Sequence, residues 1–288
     1  RYGHNVIPRS ARLIQIDIDP EEVGKNYPLE LGLVGDARTV LEALLAEMDR
    51  RGADGTAWET HPRLERIARL KQEWEEWLDS VRKEDRDAPI GRLTVYHVLR
   101  ELLDHDAIIV AESGGTAAYT RFAFPAYEPQ IFPGDFSAMG SGYCMALGAK
   151  LACPQRQVVS LDGDGAMMMV LGELQTAVEN EIPTISLIFH NDTYSNMKYK
   201  QAKLFDGRYL GVDFHYPNFA RIAAEFGAWG KRVEAAGELR AALSRALAAD
   251  RPAVLDVMID PRDQVPPSEI YRRWIKERQM SPVIFQAR

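Results

Sequence analysis

The chain is poor in cysteine. Its 288 residues hold two, Cys144 and Cys153, too few for a disulfide framework or a cysteine-rich metal site. A reducing compartment, the cytoplasm, is the expectation. No run of about 18 apolar residues occurs, so no transmembrane helix is expected, and no charged-then-apolar leader opens the chain. Positive charge is in deficit. Lys and Arg number 35 against 42 Asp and Glu, a net charge of -7, which argues against nucleic acid and anionic membranes as main partners. No G-x-G-x-x-G follows a strand pattern, so the nicotinamide-binding fingerprint is missing. Internal repeats and low-complexity tracts are missing too. An initial Met is also lacking: residue 1 is Arg and the strand pattern "LIQIDI" (13–18) follows almost at once. The expectation is a chain that begins inside a domain.

What is present reads as a globular α/β protein. The stretch "VGDARTVLEALLAEMDR" (34–50) carries Leu41, Leu44, Leu45 and Met48 at helical spacing, and residues 61–87 carry a stripe of Leu64, Ile67, Leu70, Trp74, Trp77 and Val81 in an otherwise charged helix. From Pro89 onward, apolar strands alternate with helices: "AIIVA" (107–111), "VVSL" (158–161), "TISLIF" (184–189) and "AVLDVMI" (253–259) are the strands. Helices are expected after Thr94 as cap, in "SAMGSGYCMALGAKLA", over about 167–180, near 217–226 and at 236–249. Such alternation implies a doubly wound parallel sheet with helices on both faces, preceded by the remnant of a second α/β domain. The expected division is residues 1–50 as the end of a central Rossmann-like domain and 51–88 as a linker helix. Residues 89–262 would form the ligand-binding domain and 263–288 a tail. In that tail Tyr271, Trp274 and Ile275 form one apolar face, suited to a lid or to plain docking.

The chemistry concentrates in "LDGDGAMMMVLGELQTAVENEIPTISLIFHND". Ligands bind off the carboxyl ends of strands in open α/β sheets, and Asp164 and Asn191, 27 positions apart, follow two successive strands. Gly163 and Gly165 allow a sharp turn and a close backbone approach. A helix start at that point favours a phosphate. A carboxylate and an amide oxygen are hard ligands that suit Mg²⁺ shared with phosphate oxygens. Other readings are a plain Gly-Asp-Gly turn, a plain Asn-Asp turn, and a calcium loop. The last fails because Ala166 and Met167 occupy positions where that loop needs an oxygen ligand and a glycine.

The same stretch resembles the thiamine diphosphate motif, Gly-Asp-Gly with an Asn about 27 residues on. "FSAMGSGYCMALGAKLA" resembles the Met-Gly-x-Gly helix start of the same enzymes, "AESGGTAAY" their first diphosphate loop, and residues 13–45 the end of their central domain. The chain thus resembles the acetolactate synthase and 2-oxoacid decarboxylase group from about residue 12 to 260. The resemblance implies a thiamine-diphosphate- and Mg²⁺-dependent carboligase or lyase acting on a 2-oxoacid. Asp164, Asn191 and the Thr193 carbonyl would hold the metal. Gly114, Gly115, Thr116, Gly163, Gly165 and Ala166 would border the diphosphate, and Met139 would wedge under the cofactor and bend its rings together. An ordinary core Met and a helix-capping Thr are the plain alternatives for Met139 and Thr116. A flavin is not indicated by these residues. The glutamate that activates the pyrimidine lies, in that family, on an N-terminal domain of a neighbouring subunit. A pyrimidine-binding domain from a longer chain or another subunit, in a homodimer or homotetramer, is therefore implied. One departure concerns the substrate. Lys200 stands about where acetolactate synthases carry a selecting Trp, while "IFHNDTYSNMKYKQ" resembles sulfoacetaldehyde acetyltransferase. That leaves Lys198, Lys200 and Lys203 as candidates for an anionic substrate or as plain surface lysines. A non-oxidative decarboxylase and a partner subunit without its own activity are the further alternatives.

Overall fold

The computed structural model describes residue 7 and residues 11–52, 61–83, 86–127, 131 and 137–261. The possible lid residues Tyr271, Trp274 and Ile275 lie outside the described residues. Two compact units meet in sequence between Glu75 and Glu76. In the first, β1 (Ile14–Asp17) pairs in parallel with β2 (Leu31–Val34). Asp36 then caps α1 (Ala37–Arg50), its Oδ1 accepting the Thr39 amide at 3.0 Å. The division falls within α2 (Pro62–Arg82), of which Trp77 is the buried residue.

The second unit is built on five parallel strands: β3 (Ile108–Ala111), β4 (Val158–Gly163), β5 (Ile185–His190), β6 (Trp229–Val233) and β7 (Ala253–Met258), in the order β3-β4-β5-β7-β6. Around them run α3 (Arg92–Leu102), α4 (Gly115–Ala123), α5 (Ser141–Ala152), α6 (Asp164–Met169), α7 (Glu173–Glu179), α8 (Ser195–Leu204), α9 (Phe219–Glu225) and α10 (Ala236–Leu247). Side chains alternate across a strand, and both faces of this sheet are apolar. Val159, Leu161, Leu187 and Phe189 pack with Tyr96, Leu99, Leu239 and Leu243 of α3 and α10 on one face. Ile188 and Val254 pack with Tyr143, Leu147, Met167, Leu174 and Phe219 on the other. A side chain such as Leu187, at 0% exposure, contributes roughly 1.5–3 kcal/mol by leaving water. This is the doubly wound parallel sheet that the alternating pattern predicts.

Several local expectations change. α3 starts at Arg92 with Gly91 as its N-cap, so Thr94 lies inside the first turn and is not the cap. The helix expected over 167–180 is two helices, because Val170 leaves the helical region at φ -125°, ψ 21°. It also begins three residues early: Asp164 is the first residue of α6, directly on the end of β4. β2, β6, α4 and α8 are elements that the strand and helix patterns did not announce.

Candidate active site

β4 and β5 are neighbours in the sheet and end side by side, Gly163 opposite Phe189 in the register. Asp164 and Asn191 therefore emerge from adjacent strand ends. The Asp164 carboxylate, 3% exposed, joins the two: its Oδ2 accepts the amides of Asn191 (2.9 Å) and Asp192 (2.6 Å), and its Oδ1 accepts the Gly165 amide (2.7 Å). Burial pushes the Asp164 pKa up, against the lowering effect of these amide bonds and of His190 nearby. The Asn191 amide donates to Ser195 Oγ at 2.8 Å, which leaves the side-chain oxygen of Asn191 for another partner. Thr193 is fixed by its hydroxyl, which donates to the Val212 carbonyl (2.8 Å), while its own carbonyl accepts the Ser195 amide (2.9 Å). A carbonyl has a second lone pair to offer.

A cavity of about 290 Å³ opens above these groups. Its lining gathers Gly114, Gly115, Thr116, Met139, Gly163, Asp164, Gly165, Ala166, Asn191 and Thr193, every site residue expected from the sequence. Beyond the adjoining backbone, no described atom comes within 4 Å of where a Cβ would stand on Gly114, Gly115 or Gly163, so these three glycines border open space. Gly165 is different. A Cβ there would lie 2.2 Å from Tyr194 Cε1, so the absent side chain lets the Tyr194 ring close one wall. Tyr194 in turn packs on Phe214, ring centroids 4.5 Å apart, and Phe214 stacks on Tyr216. Thr116 lies in the first turn of α4, whose N-cap is Gly114 at φ +74°.

The cavity also draws in residues to which the sequence reading gave no role in the site. Arg92 lines it, its guanidinium 5.2 Å from the Tyr119 ring and 5.4 Å from the Phe189 ring. Glu112, 1% exposed, lines it from the end of β3. Tyr194, Ser195, Asn196 and Met197 line it from the start of α8. An apolar-to-polar count along "TYSNMKYKQ" gives no stripe, so the tertiary position of α8 is what brings them to the cavity. Lys198, Lys200 and Lys203 do not line this cavity. Lys198 is paired with Asp213 and lies 5.4 Å from the Tyr209 ring, and Lys203 lies 5.7 Å from the Tyr199 ring.

Asp164, His190 and Asp192 also bring potential ligand atoms within 4.8 Å of one another. His190 is a poor ligand in this arrangement. Its Nδ1 faces Asp256 Oδ1 at 2.6 Å and its Nε2 faces Asp192 Oδ1 at 3.1 Å. Both ring nitrogens are already engaged by carboxylate oxygens, so neither is turned to a cation. Burial opposes charge on this ring, but the bonds to Asp256 and Asp192 outweigh it and raise the pKa. A further buried carboxyl, Asp162, stands on β4 two residues before Asp164. Burial raises its pKa to about 7, against the hydroxyls of Ser160 and Ser186 that donate to its Oδ2, and the Glu112 charge adds to the rise.

Among the described residues, no helix is long and apolar enough to cross a membrane. Residues 113–257 match the family described as thiamine pyrophosphate enzyme, C-terminal TPP binding domain, and residues 2–44 match thiamine pyrophosphate enzyme, central domain. A probable acetolactate synthase large subunit of Methanococcus aeolicus is 32% identical over 276 residues, 90% of this chain and 45% of that protein. Acetolactate synthase isozyme 3 large subunit of Escherichia coli (strain K12) is 29% identical over 91% of this chain and 46% of its own length. A sulfoacetaldehyde acetyltransferase of Roseovarius nubinhibens is 28% identical over 85% of this chain and 43% of its own length. The chain thus spans a little under half the length of these relatives.

Proposed function

Because the chain belongs to the thiamine pyrophosphate enzyme family, we propose that its second unit is the diphosphate- and Mg²⁺-binding half of an acetolactate synthase-like carboligase acting on a 2-oxoacid. The observation that carries this reading is the meeting of Asp164, Asn191, Thr193 and three side-chain-free positions around one cavity. The donor set fits the group. An aspartate oxygen, an amide oxygen and a backbone carbonyl form the hard oxygen shell that Mg²⁺ takes, with room left for phosphate oxygens. Gly114, Gly115 and Gly163 leave uncovered backbone where a diphosphate would lie, and the start of α4 borders the same cavity with its positive end. When bound, thiamine diphosphate supplies the electron sink that lets a bond next to a carbonyl break or form.

The residues of this chain have the following proposed roles. Asp164, Asn191 and Thr193 hold the cation. Gly165 and Ala166, with Gly114, Gly115 and Thr116 opposite, hold the diphosphate through backbone groups and one hydroxyl. Met139, 41% exposed and on the cavity lining, supports the ring end of the cofactor. Tyr194 closes a wall over Gly165 and keeps water from that end of the site. The pyrimidine-binding part, the oligomer and the second substrate belong to the assembled enzyme. For that assembly we propose a homodimer or homotetramer with the activating glutamate on an N-terminal domain or another subunit. The division of the chain at residues 50, 88 and 262 is part of the same proposal.

A second reading, a sulfoacetaldehyde acetyltransferase-like or simple decarboxylating enzyme, is favoured by the similarity to sulfoacetaldehyde acetyltransferases. Tyr194, Asn196 and Met197 occupy the α8 wall, while Lys200, about where acetolactate synthases carry a selecting Trp, lies off the cavity lining. Product analysis with pyruvate separates the readings: acetolactate supports the first, acetaldehyde a decarboxylase, and neither product the acetyltransferase. The binding proposal itself is tested on this chain by thermal melting with thiamine diphosphate and Mg²⁺. A rise in melting temperature that grows with cofactor, needs Mg²⁺ and disappears in Asp164→Ala supports it. An equal rise in Asp164→Ala would exclude the metal site.

A further inference from the structure

Glu112 is a buried acid in the cavity wall that the diphosphate reading does not use. Its amide donates to the Leu161 carbonyl at 2.8 Å, so the residue is anchored to β4 by the sheet itself. Its carboxylate reaches away from the sheet to a different segment. Oε2 accepts the amides of Gly140 (3.1 Å) and Gly142 (2.9 Å), and Oε1 accepts the Ser113 amide (2.6 Å). Gly140 is the N-cap of α5 and has no side chain with which to cap it. The unsatisfied amides of a helix start need acceptors, and an anion there is favoured by the helix dipole. Glu112 supplies both from another strand.

The segment it grips contains Met139. Ser141 Oγ donates to the Ala138 carbonyl at 2.7 Å, closing a turn over residues 138–141, and Gly140 holds the left-handed φ of +86°. The turn is thus closed by Ser141 and tied to the sheet by Glu112. The close fit of α5 is visible at Gly142, where a Cβ would meet Asp162 Oδ1 at 2.8 Å and Glu112 Oε2 at 3.0 Å. Met139 itself is 41% exposed. Its position comes from this backbone clamp more than from packing of its side chain.

We infer that Glu112 is the positioning residue that sets Met139 against the ring end of the cofactor, while Asp164 and the glycine turns hold the diphosphate end. This rests on the thiamine diphosphate reading above. Two probes separate the ends: thiamine diphosphate with Mg²⁺ engages both, and inorganic pyrophosphate with Mg²⁺ engages one. Binding is read by melting shift against ligand concentration, with the ligand-free melting temperature recorded for each variant. Glu112→Gln, which keeps the shape but loses the charge and one acceptor, is expected to weaken thiamine diphosphate about tenfold, the scale of a hydrogen bond to a charged group. Pyrophosphate should change by less than about threefold. Gly142→Ala, which pushes α5 off Glu112 without altering Glu112, is expected to do the same if Glu112→Gln does not fold. In a Met139→Ala background, Glu112→Gln should add little, since both act through one contact. Equal losses for the two probes, or losses from Glu112→Gln and Met139→Ala that multiply in the double variant, would overturn the inference. If the unsubstituted chain binds neither probe, the thiamine diphosphate reading fails first and takes the clamp with it. That outcome is distinct from a chain that binds pyrophosphate normally yet shows no selective effect at Glu112.

Discussion

The two units contrast in how their strands are covered. β5 reads ISLIFH and every residue is buried, whereas β1 reads IQID and none is. α10 buries Leu239, Ala242, Leu243 and Ala246 against the sheet, while α1, with an equally regular apolar spacing, buries nothing. Leu41, Leu44, Leu45 and Met48 remain 43–61% exposed. An apolar stripe specifies a helix and the face it will present, but not whether anything covers that face. In the second unit the strand pattern and the helix pattern answer each other. In the first, the described residues hold the stripe without its counterpart. A polar site can be held rigid only where its scaffold is closed, and the candidate site lies wholly in the second unit.

The sharpest way to break this comparison is to substitute the site and the exposed stripe in parallel. Asp164→Ala should remove the Mg²⁺-dependent melting shift by thiamine diphosphate completely, and Leu45→Ser should leave it unchanged. A shift lost in both variants would mean that the units are not independent supports. Next in size is the core itself. Leu187→Ala, at 0% exposure, should cost about 2–5 kcal/mol. Leu45→Ala, at 61%, should stay within about 0.5 kcal/mol. Urea unfolding followed by hydrogen exchange of β5 and α1 amides reads the two separately.

A smaller effect concerns pH. Asp162 has a folded pKa of about 7 against an ordinary 3.8, raised chiefly by burial. A carboxyl raised on folding binds more protons folded than unfolded, so its contribution to stability is present at low pH and is lost as pH rises from about 4 through 7. The ligand-free second unit should therefore lose up to a few kcal/mol between pH 5 and 8, and Asp162→Asn should flatten that slope. The exposed helix α1 holds no buried carboxyl; its cap Asp36 and its Glu47 are held below the usual carboxylate range by hydrogen bonds from Thr39 and from Arg50 and Arg51, so any loss there comes as pH falls, the opposite direction. Smallest of all is the surface pair Lys198–Asp213, with side chains 24% and 56% exposed. Lys198→Ala should cost less than about 1 kcal/mol, showing that membership of the closed unit does not by itself make a contact strong.

The site was legible where local chemistry marks it. Gly-Asp-Gly after a buried strand, and an Asn after the next, are short-range signals, and the cavity gathers the residues they name. Elements were missed where the signal is long-range. β6 reads WGKRV, with one fully buried residue at an edge position, and offers no alternation to count. α8 buries nothing. It is held by Gln201, whose side chain donates to the Leu210 carbonyl and accepts the Leu210 amide, a pairing invisible to periodicity. The break between α6 and α7 depends on backbone angles at Val170 that an apolar run does not reveal.

The sequence by itself determined the alternation of strands and helices, the apolar faces, and the pair of oxygen-bearing residues at two strand ends. These follow from side-chain period and from the special freedom of glycine, which are properties of neighbours along the chain. Tertiary structure alone decided that β4 lies beside β5, that Tyr194 closes over Gly165, and that Glu112 reaches across to the turn bearing Met139. Those contacts join residues 24 to 30 positions apart, and only the closing of the sheet, driven by burial of both its faces, brings such groups within hydrogen-bonding reach.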